Sequence, residues 1–276
     1  MRVIEPEIRS AKVADLDVST KGRVMVAVLN RPDKKNAFSP EMLDDLRSAL
    51  QIANDDSAIG CMVITGAGDA FCSGGDLGRR SKDGGGESPT PLERKDRLQK
   101  VTHKVALAIE AFEKPLIAAV NGAAVGAGMD LALMCDIRFA GSSARLSEGY
   151  IKVGLIPGNG GCYFLPRIIG PARALELLWT GDFVSAEEAL KLGLVNRVYS
   201  DADLMDETLA FAKRLGDGPP IQQREIKKLL YQCMRTDLRT SLELVSSHMA
   251  VVQSTADYKE AMAAFKEKRQ PKFQGK

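Results

Sequence analysis

Residues 114–140 read KPLIAAVNGAAVGAGMDLALMCDIRFA. Leu116–Val120 is an apolar run of the length expected for a buried strand, and it stops at Asn121-Gly122. A glycine-spaced turn, Gly126-Ala127-Gly128, then opens a short apolar helix that carries a single acid, Asp130. Small residues at such a turn let a substrate approach the backbone closely. The amides at a helix start are unpaired donors at the positive end of the dipole. The combination suits an anion, or an oxygen that becomes anionic during a reaction.

Residues 61–77, CMVITGAGDAFCSGGDL, repeat this logic. The apolar strand Met62–Ile64 leads into a glycine-bearing turn, followed by Phe71-Cys72-Ser73-Gly74-Gly75-Asp76. Two glycine turns after two strands can each supply one backbone N–H to a single oxygen. Neither segment has the GxGxxG spacing of a dinucleotide fingerprint or the GxxxxGK of a phosphate loop.

These two segments resemble the enoyl-CoA hydratase/isomerase (crotonase) superfamily. So do LNRPDKKNAFS (29–39), IKVGLIPGNGG (151–161), LPRIIG (165–170), TGDFVSAEEALKLGLVNRVY (180–199) and AFKEKRQPKF (264–273). The likeness runs in register from about Val24 to the C-terminus. It implies an α/β fold, a crotonase-like spiral of repeated β-β-α units with a C-terminal helical trimerisation region. The expected assembly is a homotrimer or a hexamer built as a dimer of trimers. The substrate is expected to be an acyl-CoA, a coenzyme A thioester, with no bound cofactor.

The resemblance also assigns site residues. The oxyanion donors are the amides of Gly75 and Ala127; many relatives have glycine at the second position, and alanine keeps the amide while its methyl narrows the approach. Such a grip turns the thioester into an electron sink, so a neighbouring C–H is acidic enough to leave as a proton. Hydratases of the family use two glutamates that share one water. Aligning through Gly126-Ala127-Gly128 places Asp130 at the first glutamate position, on the same helix face as the Ala127 donor. Aligning through Gly154-Leu155-Ile156-Pro157-Gly158 places Tyr150 at the second. A phenol with a pKa near 10 is a hydrogen-bond donor rather than a base at neutral pH. A third position, aspartate in some isomerases, is Gly158 here. Coenzyme A would meet Ser73, Gly74 and Asp76 at its adenine and Lys34 or Lys35 along the pantetheine and phosphates. Lys266, Lys268 and Arg269 could reach phosphates across a subunit boundary.

One acid and one phenol do not form a standard water-adding pair, and three readings follow. Asp130 alone can act as base and acid in turn, giving an isomerase or a specialised hydratase. Glu148, two residues before Tyr150, shares its face if the segment is extended and can serve as the missing acid, or it is a surface or structural glutamate. Or the protein binds acyl-CoA and does little chemistry. An RNA-binding role like that of one hydratase relative needs a concentrated basic face. His103 follows the 79–97 loop on a helix expected over 92–111, and it is either an active-site histidine or a half-buried surface residue. His248 reads as structural. A Ser-His-Asp hydrolase lacks a recognisable base for Ser73.

Composition sets the frame. With 276 residues, 45% apolar and 27% charged, the chain has the make-up of an ordinary globular protein. Its 38 basic and 36 acidic residues nearly balance, so nucleic acid and membrane are not expected partners. The five cysteines form no CxxC pair, which predicts reduced thiols in a cytoplasmic protein, and no Cys/His cluster suggests zinc. The N-terminal MRVIEPEIRSAKVADLD alternates acids and bases, unlike a secretory signal or transit peptide.

The expected organisation is a lead-in over 1–20, a spiral core with the thioester site over 21–200 and a helical region over 201–276. Strands are expected at Val24–Leu29, 61–65, 116–120, 136–140 and 195–199. Ser39-Pro40-Glu41 starts a helix on which Leu43, Leu46 and Leu50 fall on one face. Ser185-Ala186-Glu187-Glu188 is a capping box, and Gly193 closes the helix it begins. Residues 79–97, rich in glycine, proline and charge, read as a mobile loop, either a lid or a surface insertion. Leu238, Leu242, Val245, Met249 and Val252 make an apolar stripe suited to packing on another element or subunit.

Overall fold

A computed structural model of the chain describes residues 11–12, 15–76 and 89–276. The expectations for residues 1–10, and for the 79–88 part of the glycine-rich loop, lie outside the described residues. The strands are β1 (Ala11–Lys12), β2 (Leu16–Lys21), β3 (Val24–Leu29), β4 (Cys61–Gly66), β5 (Ala70–Cys72), β6 (Leu116–Val120), β7 (Ala123–Val125), β8 (Ile137–Gly141), β9 (Arg145–Ser147), β10 (Val184–Ser185) and β11 (Arg197–Tyr199). Among the described residues they form a larger sheet, β1-β2-β3-β4-β6-β8-β11, and a smaller one, β10-β9-β7-β5.

Each turn of the spiral gives one strand to each sheet: β4 then β5, β6 then β7, β8 then β9. The strands from β3 to β11 in the larger sheet pair in parallel, as do β5, β7 and β9 in the smaller. Parallel strands covered on both faces read as continuous apolar runs, which is why β4 and β6 were legible. Their side chains alternate between two cores. Met62, Ile64, Leu116 and Ala118 join the larger cluster, while Cys61, Val63, Ile117 and Ala119 join a second one with Leu204 and Ala212.

The helices are α1 (Pro40–Asp55), α2 (Pro91–Arg97), α3 (His103–Glu110), α4 (Ala127–Met134), α5 (Gly161–Ile169), α6 (Pro171–Thr180), α7 (Ala186–Leu192), α8 (Leu204–Gly216), α9 (Pro220–Cys233), α10 (Leu238–Ser254) and α11 (Ala256–Glu267). Ser39 caps α1 by accepting from the Met42 amide at 3.0 Å, and Leu43, Leu46 and Leu50, expected on one face, are buried. Lys114 secures the far side of α1: its ammonium donates to the carbonyls of Ala53, Asp56 and Ile59 at 2.6, 2.7 and 2.8 Å. Charge-assisted bonds of this kind carry more than neutral ones. Lys114→Met should therefore lower unfolding free energy by about 2–3 kcal/mol in urea titration. A change below measurement error would show that water replaces the ammonium without cost.

Several expectations need correction. The described part of the lead-in includes β2, which pairs antiparallel with β3 along its whole length. The end of the 79–97 loop is helical: Thr90 and Glu93 form a reciprocal capping box, and Pro91 takes the first position of α2. The single helix expected over 92–111 is interrupted by a π-helical turn, Leu98–Thr102, between α2 and α3. Ser185 does accept from the Glu188 amide, and Gly193 closes α7 with φ 76°.

Polar contacts dock the C-terminal helices onto the spiral. Asp136 accepts from Lys227 Nζ at 2.8 Å and from the Tyr231 hydroxyl at 3.0 Å, tying α9 to the sheet. After α11 the chain folds back, and the buried Asp257 carboxylate accepts the amides of Gln274 and Gly275. Three residues of the expected stripe on α10 face outward, Leu238 73%, Leu242 56% and Met249 50% exposed, while Val245 and Val252 are half-buried. All five cysteines are free; burial pushes the thiols of Cys61, Cys72 and Cys135 up to about 12, which makes them inert. Among the described residues no helix is long and apolar enough to cross a membrane.

Candidate active site

The two glycine turns meet in space. Gly74 follows β5 with φ 87°, and a Cβ placed on it would lie 2.7 Å from the Val125 carbonyl oxygen and 3.1 Å from the Ala127 nitrogen. Among the described residues, the amides of Gly75 and Ala127 have no hydrogen-bond partner. Ala127 opens α4, so its free amide is the ordinary consequence of a helix start. Gly126 before it has φ 53° and lies against the Tyr150 ring, where an added Cβ would stand 3.6 Å from the ring edge.

A second role of the small residues differs from the one expected. At Gly128 the close approach is made by the chain itself: an added Cβ would stand 2.1 Å from the Cys72 carbonyl oxygen. Gly122 meets the Asp69 carbonyl oxygen in the same way, at 2.1 Å. These glycines press one turn of the spiral against the next and so set the spacing of the two free amides.

Asp130 lies on α4 with 0% exposure. Its Oδ2 accepts the Tyr150 hydroxyl at 2.5 Å. Burial raises its pKa from 3.8 to about 6, against the opposing pull of Tyr150, Glu148 and the amides of Asn159 and Gly161. Burial, and then the Asp130 charge, push the Tyr150 phenol well above its ordinary range, so it stays protonated and donates.

Glu148 is 1% exposed, which overturns its reading as a surface glutamate. The extended geometry expected to bring it beside Tyr150 is also absent, because residues 149–153 form a 3-10 turn that begins immediately after it. Glu148 instead turns inward and meets Asp130 at the start of α5. A Cβ on Gly161 would lie 2.7 Å from Asp130 Oδ1 and 2.8 and 2.9 Å from the two Glu148 oxygens. Burial and the Asp130 charge raise the Glu148 pKa from 4.5 to about 9.

His103 closes one side of the group. Its Nε2 sits 2.9 Å from the Gly158 carbonyl oxygen, linking α3 to the loop that leads into α5. Leu98, in the π-helical turn, faces the same glycine. His248, without a partner in sequence, pairs with Glu225 at 2.5 Å between α9 and α10.

The residues expected to hold coenzyme A are mostly brought together. Ser73 donates its amide to the Lys35 carbonyl and its hydroxyl to the Lys34 carbonyl, and the Phe38 amide donates to the Gly74 carbonyl. Asp76 is paired with Arg31 at 3.0 Å. Lys34 is exposed, and Lys35 is bound to Asp69. Lys268 belongs to another part of the molecule, closing α11 with φ 55°. Arg269 beside it is held by Glu260 and Glu267, so its charge is already matched locally.

The sequence model of the enoyl-CoA hydratase/isomerase family matches residues 19–276. The chain belongs to the enoyl-CoA hydratase/isomerase family of enzymes. It is 35% identical over 252 residues to the crotonyl-CoA hydratase of Syntrophomonas wolfei, covering 91% of this chain and 94% of that one. It is 37% identical over 253 residues to the 1,2-epoxyphenylacetyl-CoA isomerase of Escherichia coli, covering 92% and 95%. The solved enoyl-CoA hydratase of Bacillus anthracis superposes with a TM-score of 0.89 at 33% identity, covering 95% of this chain and all of that one. The crotonase fold expected from the sequence is thus the fold observed. In this chain Asp130, Tyr150 and Glu148 form one cluster, with both carboxyl groups buried.

Proposed function

We propose that this enzyme acts on a coenzyme A thioester by way of an enolate. The thioester oxygen is held between the Gly75 and Ala127 amides, and Asp130 moves the proton. The observation that carries this reading is the pair of unpartnered amides from adjacent turns, next to a buried carboxylate on the helix that one of them opens. Such donors stabilise the oxyanion more than the ground-state carbonyl, each by about 10²–10³ in rate. A carboxylate with a pKa near 6 is a competent base at neutral pH and, once protonated, a competent acid.

Tyr150 orients Asp130 and does not itself take a proton, so double-bond isomerisation or substrate-specific hydration is favoured over generic hydration. Lys34, Ser73, Gly74 and Asp76 make the coenzyme A side of the site, and Lys268 contributes across a subunit boundary. The outward stripe on α10 serves assembly into a trimer or a dimer of trimers.

The test uses short-, medium- and aromatic-acyl enoyl-CoAs in deuterated and oxygen-18 water, with mass spectrometry of the products. Deuterium at the α or γ carbon without oxygen-18 is the expected result of isomerisation. Oxygen-18 in a hydroxyacyl product would identify hydration. Saturable binding with neither label across the panel would sink the catalytic reading in favour of a binder.

A further inference from the structure

Among the described residues, six buried side-chain oxygens lack a hydrogen-bond partner, and three of them belong to Asp130 and Glu148. Both residues are almost fully enclosed, and their orphaned oxygens converge on the space beside Gly161. An ionised carboxylate only accepts hydrogen bonds. Two of them facing each other leave Asp130 Oδ1 and both Glu148 oxygens without a donor, and two like charges sharing one buried site disfavour the doubly ionised state. A single proton between them answers both problems. A Cβ at position 161 would crowd both carboxyl groups and displace at least one of them.

We propose that Asp130 and Glu148 hold one proton in common, carried by Glu148, and that Glu148 is a positioning residue that governs the protonation of Asp130. Mechanistically this rests on the enolate reading above. Asp130 then receives two O–H donors, Tyr150 on Oδ2 and Glu148 on Oδ1, and carries the single negative charge of the cluster. In turnover, the acyl C–H bond breaks, its electron pair enters the enolate and its proton joins Asp130. The pair now holds two protons. One returns to the far carbon as the enolate collapses, and the other remains, restoring the starting state. Because the two protons can exchange places, the hydrogen delivered need not be the hydrogen removed.

The titratable groups that face Glu148 are Asp130 on α4, Tyr150 in the 3-10 turn and Cys162 on α5. His103 on α3 reaches the same loop through Gly158. Raised pKa values of about 6 for Asp130 and about 9 for Glu148 are consistent with one charge on the pair between those limits.

The experiment compares wild type with Glu148→Gln and Glu148→Asp. The first readout is ¹³C NMR of glutamate carboxyl groups, which needs no turnover. One carboxyl should titrate far above the ordinary glutamate range, vanish in Glu148→Gln and move down in Asp130→Asn. If no glutamate titrates above about pH 7, the proposal is overturned, whether or not the enzyme turns over any ester. The second readout is the pH profile and isotope retention on a substrate deuterated at the carbon that loses its proton. Wild type should lose activity above about pH 9 and exchange part of the label with solvent. Glu148→Gln should lose the alkaline fall and retain the label, while Glu148→Asp restores partial exchange. Unchanged profile and retention in a folded Glu148→Gln would also overturn the proposal. The expected high-pH glutamate titration without turnover of any ester would support the shared proton and count against the enolate reading alone.

Discussion

Asp130→Asn should reduce turnover by about 10²–10⁴-fold while leaving acyl-CoA affinity within a few-fold of wild type. Asparagine keeps the shape of the side chain and an oxygen for the Tyr150 hydroxyl, but it cannot take a proton. The separation of kcat from binding is therefore the informative part, read by steady-state kinetics beside calorimetry with a non-reacting thioester. The fold should not suffer. Asp130 has its pKa raised from 3.8 to about 6 by burial, so the protonated form is favoured in the folded state. The stability this contributes is complete below the unfolded value and lost as pH rises through the folded one. Asparagine has no such loss, and above pH 6 the variant should melt no lower than wild type. A variant that turns over normally would remove Asp130 from the mechanism. One that melts far earlier would make it a structural anchor.

The sequence disclosed the spiral better than it disclosed the site. β4 and β6 are continuous apolar runs because both faces are covered, and Ser39-Pro40-Glu41 announces α1 by local capping chemistry. Two further elements have local signals of their own. Leu16-Asp17-Val18-Ser19 alternates as a half-covered strand does, and Thr90-Pro91-Leu92-Glu93 is a capping box with proline in place. The position of Glu148 is a different matter. Its partner Asp130 lies 18 positions earlier, and they meet only because β7 and β9 are neighbours in the smaller sheet and residues 149–153 turn at once after β9. An i, i+2 rule for extended chain placed Glu148 beside Tyr150 for a reason that does not apply. Gly161 shows the same limit: the space it leaves open is filled by two carboxylates that no local pattern connects to it.

Gly128→Ala should prevent accumulation of the folded enzyme, or cost it more than about 3 kcal/mol where it does fold. The added methyl would stand 2.1 Å from the Cys72 carbonyl oxygen, 2.7 Å from its carbon and 2.8 Å from its Cβ. Two of those three atoms are backbone in β5, which is paired with β7, so no side-chain rotation can relieve the clash. Relief requires α4 to move away from β5. That movement carries the Ala127 amide away from Gly75, so any folded fraction should also lose turnover out of proportion to its population. Gly154→Ala is the matched control. Gly154 has φ 69° with nothing within 4 Å of an added Cβ, so only backbone strain of about 1 kcal/mol is expected there, with activity retained. Thermal melts and soluble yield report the first effect, and turnover per folded molecule reports the second. If Gly128→Ala behaved like Gly154→Ala in both, the contact between successive turns would not set the spacing of the two amides, and the oxyanion site would have to be held by something other than the packing of α4 on β5.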